Sequence, residues 1–540
     1  MSGSQQAVRI FPYEQALLRE LNAEGYSSLV EMYEAACKQF AERPAFTALG
    51  QTLAFTDIDR HSRDFAAYLL GPAGLAPGQR IAIQLPNLCQ YPIVAWGALR
   101  AGLVLVNTNP LYTPRELLHQ FNDAGVSVLV CLADLVPTLE EVVPQTEIEQ
   151  IIVTNVFDLI EAQPAPETTL ANVITLPDVL TEGGRYYLPD PSTGLNDIAL
   201  LQYTGGTTGA AKGAVLTHGN LLASSCQSGT LVEVDPDQPD IVIAPMPLYH
   251  IYGFTMSIVG TFCLGGHSVL VPDPRDISDM IETMKAYPFT ALAGVNTLFV
   301  GLMQHPDFDA IDFSHLKGVI AGGAALVEEI ASEWQRRTGS EIFEGYGLSE
   351  TASSLSCNSE GARKLGTVGR ALPWMEVKIV SPEGETLAAG EEGEVLVRGP
   401  QVMHGYWQRA EATDEALDQD GWFRTGDIAS IQSDGFIRIC DRIKDMILVS
   451  GFNVYPNEVE SVVYTHSDVV ECAAVGVPDG KSGEAVKLYV VSSNPALDQD
   501  TLRSFCREQL TAYKVPRYVE FREELPKSNV GKILRRELRQ

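Results

Sequence analysis

Short runs rich in valine and isoleucine alternate with helix-patterned stretches through the first two-thirds of the chain, and this alternation limits the possible folds most. The runs include RIAIQLP (80–86), LVLVNTNP (103–110), VSVLVCLA (126–133), IEQIIVTN (148–155), IALLQYT (198–204), SVLVP (268–272) and LKGVIAGG (316–323). Between them stand stretches such as YPIVAWGALRAG and TPRELLHQFNDAG. A strand that is apolar on both faces must be covered on both, and a parallel sheet flanked by helices does this. The expected class is α/β. A chain of 540 residues is too long for one ordinary core, so two or more domains are expected.

The texture then changes. Residues 156–195 are acidic, proline-containing and without strong periodicity, and read as a loop-rich insertion. From about Met375 the chain becomes β-rich, with turn signals at SPEGE, AAGEEGE and QSDGF. After CDRIKD (440–445) a compact α+β unit follows, with strands CAAVGVP and VKLYVVS and a helix DTLRSFCREQLTAY stopped by Lys514-Val515-Pro516.

One stretch imitates a membrane span. Residues 241–272 contain no Asp, Glu, Lys or Arg, longer than the roughly 20 residues needed to cross a bilayer. Pro245, Pro247, His250, Tyr252 and Gly265-Gly266 break it into strand, loop, short helix and strand, so a buried core segment is expected. The formal charge of −31 repels nucleic acid and anionic membrane at long range. An anionic ligand must therefore be captured by a local cluster of basic side chains or backbone N–H groups. The cysteines are scattered singly with no Cys-x-x-Cys pair, which argues against zinc and disulfides and favours a reducing cytoplasm. The N-terminus lacks a basic start followed by an apolar core, so no signal peptide is read.

Several islands carry chemistry. YTGGTTGAAKG (203–213) follows the strand IALLQYT, and the carboxyl ends of strands are where open α/β sheets bind ligands. Its glycines let N–H groups converge on an anion, its threonines add donors, and Lys212 adds a charge. It departs from the triphosphatase loop: Ala211 stands where Gly is required, and Gly213 where Ser or Thr holds magnesium. A flexible surface turn is the alternative. In EGYGLSET (344–351), Tyr346 offers a flat face for a purine, Ser349 a hydroxyl, and Glu350 a carboxylate able to hold magnesium beside a triphosphate. A strand-to-helix turn capped by Ser349 explains the stretch equally well. AGGAAL (321–326) supplies a small-residue surface for an adenine, or simply tight packing. In GWFRTGDIA (421–429), Asp427 is suited to a ribose diol or to capping a turn. CDRIKDMILVSGFNVYP (440–456) reads as a linker, and LPKSNVGKILRRELRQ places Lys532 after a small loop in a basic terminus.

Together these islands resemble the acyl-adenylate-forming family: acyl- and aryl-CoA ligases, adenylation domains of peptide synthetases, and luciferase. The chain is most similar to bacterial long-chain fatty acid–CoA ligases, on LQYTGGTTG, PLYTPREL, MPLYHIYGF, MILVSGFNVYPNEVE and LPKSNVGKILRREL. Gly205 stands where most of the broader family has Ser and Ala211 where most has Pro; both are usual in the fatty acid subgroup. Ser349 replaces the commoner Thr and keeps the hydroxyl.

The resemblance implies an N-terminal domain (1–440) of two α/β subdomains plus a β-barrel, a hinge linker (441–446), and a small mobile α+β domain (447–540). It implies that Thr204, Gly205, Gly206, Thr207, Thr208 and Lys212 bind the phosphates of ATP. Gly323, Ala324, Ala325, Tyr346 and Gly347 would form the adenine pocket, and Asp427 and Arg442 would hold the ribose. Ser349 would contact the α-phosphate and Glu350 the Mg2+. Lys532 would bridge the carboxylate and α-phosphate, with Lys444 as hinge and His250 and Tyr252 at the acyl site; a hydrogen-bonded core histidine is the alternative for His250. The implied reaction activates a medium- to long-chain fatty acid as acyl-AMP and transfers it to coenzyme A. Alternatives are delivery to a carrier protein, or a CoA ligase for another hydrophobic acid. The expected partner is a fatty acid, with no nucleic acid and at most peripheral membrane contact. The expected location is cytoplasmic, with the inner membrane face and a homodimer left open.

Overall fold

The computed structural model describes residues 22, 25–189, 192–204, 211–231, 235, 237–528 and 531–539. Two large sheets dominate the N-terminal part. The first has the spatial order Val173–Thr175, Gln150–Thr154, Val126–Leu132, Arg80–Gln84, Val104–Asn107, Ile198–Thr204, Lys212–Thr217. All its pairings are parallel except the last, which is an antiparallel hairpin. The second runs Arg370–Ala371, Ser353–Cys357, Ile342–Leu348, Gly318–Ala321, Ala291–Gly294, Ile241–Ala244, His267–Leu270, Pro44–Ala48, Gln51–Ala54. Its centre is parallel and its two ends are antiparallel. The continuous apolar runs fall on these strands, and Val104–Asn107, Val126–Leu132 and His267–Leu270 are buried on both faces, whereas Gly318–Ala321 buries alternate residues more deeply.

The helix Gln90–Arg100 is buried on every side, which is the placement expected of a helix that is apolar all round. An aromatic cluster joins it to the rest of the core. Tyr33 stacks on Trp96 at 4.3 Å between ring centroids, and Phe262 packs on Phe55 at 4.3 Å. Arg100 ends the helix with its charge paired to Asp59 at 2.7 Å and Glu34 at 3.0 Å. Phe262 belongs to the uncharged stretch 241–272, which is core: a strand, the turn Ile251–Gly253, a π-helix Phe254–Thr261 and a strand. Among the described residues no helix is long and apolar enough to cross a membrane.

A four-stranded antiparallel sheet follows, in the order Glu376–Val380, Gly393–Arg398, Phe423–Ile431, Ile437–Arg442. Beyond it lies a separate α+β unit with its own core. The hairpin Ile447–Val449 and Phe452–Val454 turns through Ser450 and Gly451, both at positive φ, as a two-residue hairpin requires. The long strands Val469–Asp479 and Gly483–Ser492 pair antiparallel, with Tyr518–Phe521 parallel to the second.

The loop-rich segment 156–195 also contributes two regular elements: Val173–Thr175 extends the first sheet, and Leu176–Gly183 is a helix packed on Phe55–Leu70. That helix buries Leu176, Val179, Leu180 and Gly183, the spacing of one helical face, and the last of them is a glycine. It is needed there, since a Cβ would lie 1.9 Å from the Asp64 carbonyl oxygen. The final long helix stops at Gln509, where Leu510 turns extended and buries its side chain, rather than at Lys514. Asp427 lies inside the strand Phe423–Ile431 rather than capping a turn.

The helices Phe55–Leu70 and Gln90–Arg100 cross at Gly97, where a Cβ would sit 2.8 Å from both the Ser62 carbonyl oxygen and Phe65 Cδ1. Overpacking of this kind costs about 1–3 kcal/mol, more than the roughly 1 kcal/mol that alanine gains over glycine in a helix. Gly97→Ala is therefore expected to lower the thermal midpoint in a calorimetric or dye-binding melt; an unchanged or higher midpoint contradicts this packing.

Candidate active site

The carboxyl end of the strand Ile342–Leu348 carries the densest cluster of sequence-singled residues. It pairs with Ser353–Cys357 through a tight hairpin whose tip is Ser349, Glu350, Thr351 and Ala352. Gly347 makes the tip possible, because a Cβ there would lie 1.5 Å from the Ser353 carbonyl oxygen. Ala352 and Ser353 both have positive φ, a conformation that non-glycine residues keep only where surrounding structure enforces it. Thr351 helps to enforce it, donating its hydroxyl to the Leu348 carbonyl and accepting from the Leu348 N–H.

Tyr346, Asp427 and Arg442 come together beside this tip. Asp427 and Arg442 are cross-strand partners in the four-stranded sheet, and Arg442 Nε lies 3.1 Å from Asp427 Oδ1. The Tyr346 hydroxyl donates to Asp427 Oδ2, which ties the second sheet to the four-stranded one. Asp427 Oδ1 is buried and accepts no hydrogen bond among the described residues, so one acceptor is left for an incoming donor.

Glu350 is held by Tyr406, whose hydroxyl donates to Glu350 Oε1 at 2.9 Å, while Met403 N–H donates to the Glu350 carbonyl at 2.7 Å. Burial raises the Glu350 pKa, opposed by the Tyr406 hydroxyl and by Arg442. The Lys212 ammonium lies 5.1 Å from the centre of the Tyr406 ring, within cation–π range. Thr204 and Lys212 are the last register pair of their hairpin. Gly205, Gly206, Thr207 and Thr208 lie outside the described residues.

The segment that carries Tyr406 is pinned locally. Asn220, N3 of the helix His218–Gly229, closes a capping box with Thr217 and donates from Nδ2 to the carbonyls of Pro400 (2.8 Å) and Val402 (3.1 Å). Val215 N–H donates to Gly405 and Trp407 N–H to Gly213. Sequence reading passed over Tyr406; its only signal is the stretch HGYW, an aromatic following a glycine outside any helical or strand period.

The turn 322–326 runs beside the same strand. Glu344, also passed over, accepts the Leu326 N–H at 2.8 Å, and its carboxyl is pushed up to about 8 by burial. Gly323 has φ +82 with open space where a Cβ would point, and Ala324 and Ala325 follow it. The Tyr252 hydroxyl donates to the Ile320 carbonyl at 3.0 Å, and its ring lies against Gly322. His250 Nδ1 accepts the Tyr252 N–H at 3.3 Å, so its proton sits on Nε2. Burial, with the Lys532 charge, pushes His250 down to about 4, and it is neutral at pH 7.

Lys532 arrives from the C-terminal unit. Thr297 donates its hydroxyl to the neighbouring Gly531 carbonyl at 3.4 Å. Burial and the nearby charges of Arg442 and Arg535 push the Lys532 ammonium down to about 8, while Asp427 opposes them. Lys444 is exposed on the linker, its carbonyl accepting from Arg539 Nη1 at 3.1 Å, and burial of its ammonium together with the Arg442 charge lowers its pKa while Asp445, Asp427 and Glu350 oppose them. The structure thus gathers Tyr346, Gly347, Ser349, Glu350, Asp427, Arg442, Lys212 and Lys532 around one strand end, with His250 and Tyr252 on its flank. Displacing the hairpin tip by an ångström is enough to cost about a hundredfold in rate at a positioned site. Gly347→Ala is accordingly expected to lower ATP–pyrophosphate exchange by at least that factor; exchange within tenfold of the parent contradicts the tip's role.

Residues 33–407 match the family described as AMP-binding enzyme, and residues 458–532 match the AMP-binding enzyme C-terminal domain. The long-chain-fatty-acid–CoA ligase of Salmonella typhimurium is 48% identical over 536 residues, covering 96% of this chain and 95% of the relative. That of Escherichia coli O157:H7 is 46% identical over 536 residues with the same coverage. Among solved structures, an anthranilate CoA ligase in complex with anthranoyl-AMP superposes with a TM-score of 0.87 at 26% identity, covering 95% of this chain and 96% of that one. ATP-bound MatB from Rhodopseudomonas palustris superposes with a TM-score of 0.83 at 28% identity, covering 94% of this chain and 98% of that one. The chain belongs to the AMP-binding enzyme family and carries that family's C-terminal domain.

Proposed function

We infer that this chain is an AMP-forming acyl-CoA ligase that activates medium- to long-chain fatty acids. The observation that carries the reading is the meeting of Lys532, from the C-terminal unit, with Arg442 and Asp427 beside the Glu350 hairpin tip. Near-full-length similarity to long-chain-fatty-acid–CoA ligases supports the choice of acid.

A fatty carboxylate is a poor electrophile, because its negative charge repels nucleophiles and an oxide anion does not leave. In the first half-reaction the carboxylate oxygen attacks the α-phosphorus of ATP, the bond to pyrophosphate breaks, and acyl-AMP forms. In the second, the thiolate of coenzyme A attacks the acyl carbon and AMP leaves with the bonding electron pair. Both reactants of the first step are anionic, so cations must stand between them. Lys532 is the positioned cation for the carboxylate and α-phosphate, and Lys212 serves the departing phosphates. Asp427 Oδ1, ion-paired with Arg442 but accepting no hydrogen bond among the described residues, suits a ribose diol together with Arg442. The Tyr346 face with Gly323, Ala324, Ala325 and Gly347 suits an adenine, and Ser349 offers its hydroxyl to the α-phosphate.

Among the described residues no group of three or more His, Cys, Asp or Glu side chains is placed to hold a metal. A single buried carboxylate such as Glu350 still fits Mg2+, which is commonly held by one or two carboxylates together with substrate phosphates. Bound there, Mg2+ would neutralise phosphate charge.

One arrangement cannot present Lys532 to the α-phosphate and also admit a long thiol to the same carbon. We take residues 447–540 as the unit that swings about the linker 441–446, with Lys444 as pivot. The neutral His250 and the Tyr252 ring flank the acyl entrance.

The reading is tested by ATP–pyrophosphate exchange against saturated acids of graded length, with and without coenzyme A. Exchange with medium- and long-chain acids, and acyl-CoA formation only when coenzyme A is added, are expected; product formation on a carrier protein alone contradicts it. Lys532→Ala is expected to cut exchange by about 10²–10³-fold, the usual loss for one electrostatic stabiliser, and to spare attack of coenzyme A on supplied acyl-AMP. The acid form of Lys532 is the active one, so kcat/KM for ATP is expected to fall as pH rises through about 8, since that ratio reports the free enzyme. A profile flat to pH 9.5 removes Lys532 from the step.

A further inference from the structure

Residues on opposite sides of Lys444 are joined by a set of polar contacts that the two half-reactions leave unexplained. Cys440 and Asp441 lie near the end of the strand Ile437–Arg442 of the four-stranded sheet, before Lys444. Asn457, in the first turn of the helix Pro456–Tyr464, belongs to the C-terminal unit. Its backbone N–H donates to Asp441 Oδ2 at 2.8 Å, and its Nδ2 donates to the Cys440 carbonyl at 3.2 Å. Arg535, three residues beyond Lys532, donates to the Asn457 side-chain oxygen and lies 3.6 Å from Asp441 Oδ1. Asp441 is almost fully buried, 1% exposed at its side chain.

Each contact has a clear physical sense. The Asp441 carboxylate sits at the N-terminus of a helix that begins on the other side of the linker. There it satisfies an N–H with no partner inside the helix and faces the positive end of the dipole. The Arg535 guanidinium is fixed independently by Glu460, at 3.0 Å from Nε and 2.6 Å from Nη2. Arg535 therefore reaches Asp441 as a rigid part of the C-terminal unit, on the same short stretch of chain as Lys532.

We propose that Asn457 and Arg535 act as a latch on Cys440 and Asp441, holding the C-terminal unit in the arrangement that presents Lys532 to the adenylation site. Asp441, Asn457 and Arg535 are positioning residues, because they act through Lys532. The proposal rests on the reading of two half-reactions divided by a swing about Lys444. Rotation about that point carries Asn457 and Arg535 away from Cys440 and Asp441, so these contacts exist in one arrangement alone. Contacts that differ between two states bias the equilibrium by their own free energy and no more. The latch therefore favours the first half-reaction and must open for the second.

The test uses the full chain and two changes that leave the Arg535–Glu460 pair intact. Asp441→Asn keeps the size but removes the charge and one acceptor; Asn457→Ala removes the side-chain bridge. Each is expected to lower ATP–pyrophosphate exchange by about fivefold to tenfold, at the lower end of ordinary coupling between sites. Each should leave coenzyme A attack on supplied acyl-AMP unchanged or faster. The double variant is expected to lose less than the product of the two single losses, since both changes open one latch. Equal losses in both half-reactions, or no loss in exchange, overturn the latch. Failure of the parent chain to exchange pyrophosphate at all instead overturns the functional reading beneath it.

Discussion

A single buried carboxylate, Asp427, holds the site together. It accepts a hydrogen bond from Tyr346 at the end of the second sheet and pairs with Arg442 on the neighbouring strand of the four-stranded sheet. Arg442 is also the last residue of its strand and lies within the linker 441–446, so the same contact sets where the C-terminal unit departs. A buried charge is tolerated only when paired, and each partner of Asp427 comes from a different structural layer. The layers cannot slide against one another without exposing that cost.

The site's electrostatics run against the rest of the molecule. A chain of net charge −31 repels anions from a distance, yet Lys212, Arg442 and Lys532 converge around one strand end. Burial and mutual repulsion hold the Lys532 ammonium at about 8, so the free site is short of negative charge. Phosphates and a carboxylate relieve that deficit. The neutral His250 beside Lys532 adds no competing charge. An enzyme for two anionic substrates thus keeps its cations local and divides them between two parts of the chain.

Much of this was legible in the sequence because it is written in local patterns. The continuous apolar runs specify parallel strands, and the strand IALLQYT places Thr204 and the glycine, threonine and lysine island at a carboxyl end. Other features were hidden. The helix Leu176–Gly183 carries its helical spacing in only three apolar residues, Leu176, Val179 and Leu180, inside an acidic, proline-containing segment, and only the approach to Asp64 explains the buried Gly183. Tyr406 left only the faint signal of HGYW, because its role depends on Asn220 and on the strand Lys212–Thr217 pinning its segment from far along the chain. Glu344 read as a strand residue; its burial against the turn 322–326 is a property of neighbouring strands.

The sequence by itself determined the α/β class, the family, and the chemical identity of the groups at the site, since periodicity and side-chain chemistry are local. Tertiary structure decided which of those groups meet. The hydrogen bonds of Tyr346 to Asp427 and of Tyr406 to Glu350, and the approach of Arg535 to Asp441, join residues far apart in the chain, while Arg442 meets Asp427, and Asn457 meets Asp441, across a strand turn and the linker. Such contacts follow from how layers stack and where a linker turns, and burial then fixes their strength by removing the water that would otherwise screen them.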